Sequence, residues 1–247
     1  MTFKESAINE SFWRNFSKIY KKPALVNKYL AGHSDEIEKV VITNFNEFNL
    51  SSEYSIYANG GFGRREMFPS SDVDLSIVQH NKNSKNTEGL ERYIAKLWDV
   101  GLKVGHSVRT IQDIKKVAGK DPVEFTSYLT RRSLISSPDI DIKVNDILSR
   151  SWGKKKFFNA KYNEQEERYK SFFSTQYNLE PDLKESPGAL RDFQTALWIL
   201  QHCFNFINYE DIKKSKEFAD QIDSAVDSYN FIKVMRFATN ITTKKNR

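Results

Sequence analysis

The chain has 247 residues, 39% hydrophobic and 13% aromatic, enough for one large core or two modest ones and unlike a disordered composition. No apolar run approaches the roughly 20 residues of a membrane helix, Met1 to Glu5 open no apolar signal core, and a lone cysteine, Cys203, excludes an internal disulfide and suits a cytoplasmic protein. The net charge of +6 lies in scattered runs, at Lys154 to Lys156, at Lys213, Lys214 and Lys216, and in the tail from Lys244; without a nucleic-acid motif this points to no nucleic-acid and no membrane partner, but to a positive field that suits a triphosphate.

Residues 3–50 predict helix, with Ile37, Val40, Val41 and Phe45 at helical spacing. Tyr54 to Ala58 predicts a short strand running into Asn59-Gly60-Gly61-Phe62-Gly63, and Val73 to Val78 a second strand. A polar loop at 81–86 precedes an amphipathic helix from Glu88 to Val100, with Leu90, Ile94, Leu97 and Trp98 on one side. Gly101 to Arg109 predicts a third strand, and from Asp113 the pattern is mostly helical. A break at Ser136 to Trp152 divides the chain. In the second half, Ser186 as N-cap and Pro187 in the first turn predict a helix start, with Leu190, Phe193, Leu197, Leu200, Phe204 and Ile207 facing a core, and Cys203 suits a buried helix face. Strands interleaved with helices, then a helical half, give an α+β class.

The chemistry concentrates between Gly60 and Asp74. A glycine-rich turn after a strand lets backbone N–H groups approach phosphate oxygens without an intervening Cβ, and a helix starting there adds partial positive charge. Arg64 can fork onto phosphate. Asp72 and Asp74, two apart on a strand, share a face, with Cβ atoms roughly 6–7 Å apart. Two carboxylates so placed can share metal ions that clamp the attacking and leaving oxygens of an in-line phosphoryl displacement, and Mg²⁺ (or Mn²⁺) matches hard carboxylate and phosphate oxygens. Asp-x-Asp alone, or Gly-Gly-x-Gly alone, is commonplace. Strand, glycine turn, Ser-Asp-x-Asp and apolar strand in that order are not.

The stretch Gly60 to Leu75 resembles the nucleotidyltransferase motif of the DNA polymerase β superfamily. More narrowly, with Leu97 to Thr110, Tyr177 to Pro181, Lys184 to Asp192 and Val234 to Ala238, the chain looks like the N-terminal part of the bifunctional uridylyltransferase/uridylyl-removing enzymes that modify the PII nitrogen-signalling protein. The resemblance implies a polymerase β-like nucleotidyltransferase domain with a mixed sheet, spanning 1–140 with its helical N-terminal segment, then an α-helical nucleotide- or substrate-binding domain over 141–247. It implies UTP as the favoured nucleoside triphosphate, Mg²⁺ as cofactor and a PII-type protein tyrosine as acceptor. Asp72 and Asp74 match the catalytic, metal-binding pair; Gly60, Gly61 and Ser71 match phosphate-contacting positions, and Gly63, Arg64, Lys184 and Arg191 complete the nucleotide-binding set.

Departures accompany the match. Arg65 and Ala189 stand where that family usually has glycine, and Thr130 where it usually has glutamate. The superfamily's third carboxylate has no counterpart in the third strand, which offers Lys103, His106 and Ser107; Asp99 and Asp113 flank it. His106 either acts as a general base or, the reading favoured, orders a loop. Arg191 and Asp192 either contact nucleotide or pair with each other. The four histidines, His33, His80, His106 and His202, are dispersed and none precedes an aspartate, so uridylyl removal is expected to be absent. Transfer of another nucleotide, another acceptor, or a nucleotide-binding regulatory module that has lost turnover are the alternatives.

Overall fold

In the computed structural model the described residues are 22–81, 86–174, 182–206 and 209–244. The predicted helix over 3–21, Ile207 and the Tyr177 to Pro181 motif lie outside them. The chain forms two compact units, one of Asn27–Ser151 and a second from Trp152 onward, to which residues 22–26 also belong.

The first unit is built on α1 (Pro23–Glu47, counted from Asn27), β1 (Tyr54–Ala58), α2 (Gly60–Gly63), β2 (Val73–Gln79), α3 (Thr87–Asp99), β3 (Val104–Thr110), α4 (Ile111–Ala118), α5 (Pro122–Leu129), β4 (Arg132–Ile135) and α6 (Pro138–Ser151). The four strands form a mixed sheet in the order β3-β2-β1-β4. β1 runs antiparallel to β2 and β4, and β2 runs parallel to β3. Side chains alternate across a strand, so the register sorts them into two faces. Tyr54, Ile56, Ala58, Val73, Leu75 and Ile77 form one face and pack with Ile37, Val41 and Phe45 of α1 and Leu90, Tyr93, Ile94 and Leu97 of α3. Each such buried side chain contributes roughly 1.5–3 kcal/mol. Ser55, Tyr57, Asp74, Ser76 and Val78 take the other face, where the Tyr57 hydroxyl donates to Asp141 of α6 (2.9 Å). Burial and the Asp141 carboxylate both push the Tyr57 hydroxyl far above the usual phenol range.

Two expectations for this unit need correction. Trp98 is 53% exposed rather than packed with Leu97, because one residue further around α3 lies beyond its buried stripe. β4 interrupts the stretch that predicts helix after Asp113; it has only four residues, begins Arg-Ser, and pairs with β1 through an irregular register. Asp113 flanks β3 as expected, closing a capping box with Thr110, the strand's last residue, that starts α4.

The described elements of the second unit are helices α7 (Lys154–Ser174), α8 (Leu190–Phe204), α9 (Tyr209–Lys213) and α10 (Ala219–Lys244). α8 begins at Leu190, with Ala189 as N-cap, not at Ser186. Ser186 instead donates its hydroxyl to the Asp182 carbonyl, and Gly188 turns the chain at φ +78°, so the helix cannot propagate through them. The fully buried face of α8 is Leu190, Gln194, Thr195 and Trp198. Phe193, at the rim of that face, stacks on Tyr229 of α10 (4.2 Å), whereas Phe204 is 44% exposed. Cys203 is half-buried rather than buried, its thiol facing the Lys154 carbonyl and held above its usual pKa by burial.

Candidate active site

β1 ends at Ala58, and the chain enters the glycine turn through Asn59, whose N–H donates to the Asp74 carbonyl (2.9 Å). This bond fixes the start of the turn beside β2. Gly60 to Gly63 then make a single helical turn, α2, with Gly60 at φ +55°, a conformation natural only to glycine. Gly60 has a second reason to be glycine: a Cβ there would lie 2.9 Å from Oδ2 of Asp74. On the other side of the same carboxylate, a Cβ on Gly105 of β3 would lie 3.1 Å from Oδ1. The register pairs Asp74 with Gly105, so the carboxylate sits in a slot between two backbones stripped of side chains.

Asp74 is the second residue of β2, whereas Asp72 stands just ahead of the strand rather than on it as expected; both are exposed. Ser71, half-buried, precedes them in a turn whose backbone bonds to the Phe68 carbonyl (3.0 Å). Arg64 follows α2 and donates to Glu66 (3.1 Å). Gly61 accepts a backbone bond from Glu66 (2.8 Å), and a Cβ on it would meet the Glu66 carbonyl at 3.2 Å, so a branched residue there strains the turn itself. Gly63 is buried against the carbonyls of Ala58 and Thr130, where a Cβ would come within 2.8 and 3.0 Å. Its role here is close packing of turn against sheet.

The far end of the turn is held by Arg132 of β4. Its guanidinium donates to the carbonyls of Gly63 (3.2 Å) and Phe62 (3.3 Å) and to Glu38 of α1 (2.6 Å). These carbonyls lie at the C-terminal end of α2, where the Phe62 carbonyl also accepts from the Arg65 N–H (3.2 Å). One planar fork thus ties α1, α2 and β4 together.

Among the described residues no group of three or more His, Cys, Asp or Glu side chains could hold a metal ion. Asp99 ends α3, and Asp113 is engaged with Thr110 at the start of α4. Two exposed carboxylates beside a glycine turn nevertheless fit Mg²⁺, which is commonly bound through one or two carboxylates with phosphate oxygens and water completing its shell. His106 pairs with Leu75, one residue out of phase with Asp74, so it points to the opposite face; its ring lies 6.2 Å from that of Trp98. It is not placed as the general base of this site, and its contact is a side chain rather than a loop backbone.

Lys184 and Arg191 belong to the second unit. Arg191 forks onto Glu185 (2.8 and 3.1 Å), while Lys184 is exposed, 3.8 Å from the same carboxylate. Asp192 does not pair with Arg191; it accepts from Gly188 N–H (2.7 Å), Gln165 (3.0 Å), Arg168 and Tyr169. Burial pushes the Glu185 carboxyl up, but hydrogen bonds and charge from Arg191, with Lys184 and Arg168, outweigh it and hold the group below its usual value.

The family model described as GlnD PII-uridylyltransferase matches residues 156–247. Among curated proteins, the bifunctional uridylyltransferase/uridylyl-removing enzyme of Haemophilus influenzae (strain PittEE) is 39% identical over 215 residues, covering 84% of this chain and 25% of the relative. That of Idiomarina loihiensis is 32% identical over 247 residues, 97% of this chain and 28% of the relative. The chain is homologous to the bifunctional uridylyltransferase/uridylyl-removing enzymes. It spans about a quarter of the length of the curated relatives it matches. Arg65 has φ +58°, in the left-handed region glycine prefers, and pairs with Asp35 of α1.

Three residues of the site escape the sequence reading: Gly105, Arg132 and Asn59. A lone glycine inside a strand pattern is a signal for close backbone approach, and Gly105 carries it. Arg132 and Asn59 act through contacts distant in sequence, for which a single sequence holds no signal.

Proposed function

We propose that this chain is a nucleotidyltransferase module that transfers UMP from UTP to a hydroxyl, most favourably a tyrosine, of a PII-type protein, with release of pyrophosphate. The observation that carries the reading is the Asp74 carboxylate seated between Gly60 and Gly105 beside the glycine turn, with the exposed Asp72 two residues ahead of it in sequence. In this reading the acceptor oxygen forms a bond to the α-phosphorus of UTP. The bond from that phosphorus to the bridging β-oxygen breaks, pyrophosphate leaves, and the acceptor proton passes to solvent. Asp72 and Asp74 would hold Mg²⁺, which supplies neutralisation of triphosphate charge when bound. The turn at Gly60 and Gly61, with Ser71 and Arg64, cradles phosphate oxygens through backbone N–H groups and a charged fork. Gly63 shapes the same turn. In the helical second half, Lys184 and Arg191 contribute positive charge to nucleotide binding.

The module adds nucleotide without removing it. In support, the four histidines serve separate local structures: His33 stacks near Tyr29, His80 bonds Ser55, His106 lies against Trp98, and His202 faces the Trp152 carbonyl. No helix among the described residues is long and apolar enough to cross a membrane, and a cytoplasmic setting without nucleic acid completes the proposal. The two-carboxylate site favours one second reading, a nucleotide-binding regulatory module without turnover. Incubation with each labelled nucleoside triphosphate, Mg²⁺ and a PII-type protein separates the two. Label transferred to the protein supports the enzyme; nucleotide bound but never transferred supports the regulatory module.

A further inference from the structure

Resting on the transferase reading, we propose that the outer edge of β3 is the docking edge for the acceptor, which lies along it as an added strand and sends its hydroxyl across Gly105 to Asp74. β3 is the terminal strand of the sheet, and among the described residues no strand pairs with its outer side. The Val73 N–H bonds the Lys103 carbonyl (2.7 Å), and the parallel register then commits the backbone groups of 103, 105, 107 and 109 to β2. Those of Val104, His106 and Val108 point outward. Trp98 takes the outward carbonyl of Val104 (3.3 Å), which leaves His106 and Val108 as the docking pair.

The two faces of this edge differ as an acceptor strand would require. On the face shared with Asp74, β3 presents Gly105 and then Ser107, so no bulky side chain stands between the edge and the carboxylate. The β1 side of Asp74 is closed by the turn at Gly60. On the opposite face, Trp98 (53% exposed), His106 and Val108 (42% exposed) form a patch beside the same edge. Side chains of a docked strand alternate, so one set would cover this patch and the other would face Gly105. Strands lie about 4.8 Å apart, so the hydroxyl must sit on a side chain that spans one strand. The occupant is therefore an extended protein segment with a long hydroxyl-bearing residue flanked by apolar ones.

Hydrogen exchange on the full chain, with and without a PII-type protein carrying its modifiable loop, tests this directly. The amides of His106 and Val108 should slow when that protein is added, whereas those of Gly105 and Ser107, already bonded to β2, should change little. A second arm uses Val108→Pro, which removes an outward donor but no bond to β2, and Trp98→Ala. Each should raise the acceptor KM about tenfold, the scale of one or two lost contacts, with the UTP KM and the melting temperature unchanged. Unaltered exchange at His106 and Val108, or an unchanged acceptor KM in both variants, overturns the docking edge. Slowed amides with no transfer by the wild-type chain would uphold the edge and sink the transferase reading alone.

Discussion

Asp74 shows how few atoms decide the site. A Cβ at Gly60 would enter the left-handed region and come within 2.9 Å of its carboxylate, so Gly60→Ala should displace the group that the chemistry depends on. Misplacement by about 1 Å costs on the order of 100-fold in rate, and transfer by Gly60→Ala should fall at least that far while circular dichroism stays native. Arg65 is a different case, strain tolerated at the surface. The left-handed conformation costs an ordinary residue about 1–2 kcal/mol, and a half-exposed pair such as Arg65–Asp35 returns about 0–1 kcal/mol. Arg65→Gly should therefore be near neutral, whereas Arg65→Val, branched and unpaired, should lower the melting temperature by about 2–4 °C; a melt in which both variants match wild type would remove the strain argument. The glycine turn after β1 was legible from its local pattern, and so was the strand that carries Asp74, although Asp72 falls just outside it. The slot between Gly60 and Gly105 was not, since it depends on the pairing of β2 with β3.

At the scale of elements, β1, β2 and α3 follow from period-two and helical patterns that local sequence carries in full. β4 does not, because Arg132 to Ile135 is short and gains its identity from β1. Yet β4 supplies Arg132, which anchors the glycine turn to α1 through Glu38. Arg132→Met removes the side-chain donor of the Gly63 carbonyl and of the half-buried Glu38 carboxylate, while the Phe62 carbonyl keeps the Arg65 N–H, at a cost of roughly 1–3 kcal/mol. It should raise the UTP KM more than it lowers kcat, and Arg132→Met with Glu38→Gln should destabilise less than the two single changes added. Equal loss of stability with an unmoved KM would make Arg132 a packing residue only. The start of α8 misleads for a related reason: Ser186 and Pro187 have the chemistry of a helix start, but Gly188 and the Asp192 side chain impose a turn first.

For the whole molecule, the second unit stores polar pairs whose effect reads out with pH. The Glu185 carboxyl is held below its usual value, so its contribution is present above the ordinary carboxylate range and is lost as pH falls through the depressed value. Wild type should lose stability over that acidic window, and Glu185→Gln should lose less; parallel acid curves would contradict the linkage. The partners inside the second unit were not legible in the sequence, because Asp192 collects donors from α7, 23 to 27 residues earlier. The central claim is metal-dependent transfer through Asp72 and Asp74. The most direct measurement is the intact mass of a PII-type protein after incubation with UTP, Mg²⁺ and either the wild-type chain or its Asp74→Asn variant. The account predicts one uridylyl group per modified subunit with wild type and none when EDTA is present, with no mass gain for Asp74→Asn despite an unchanged melting temperature. Equal mass gain with the variant, or none with wild type, would contradict it.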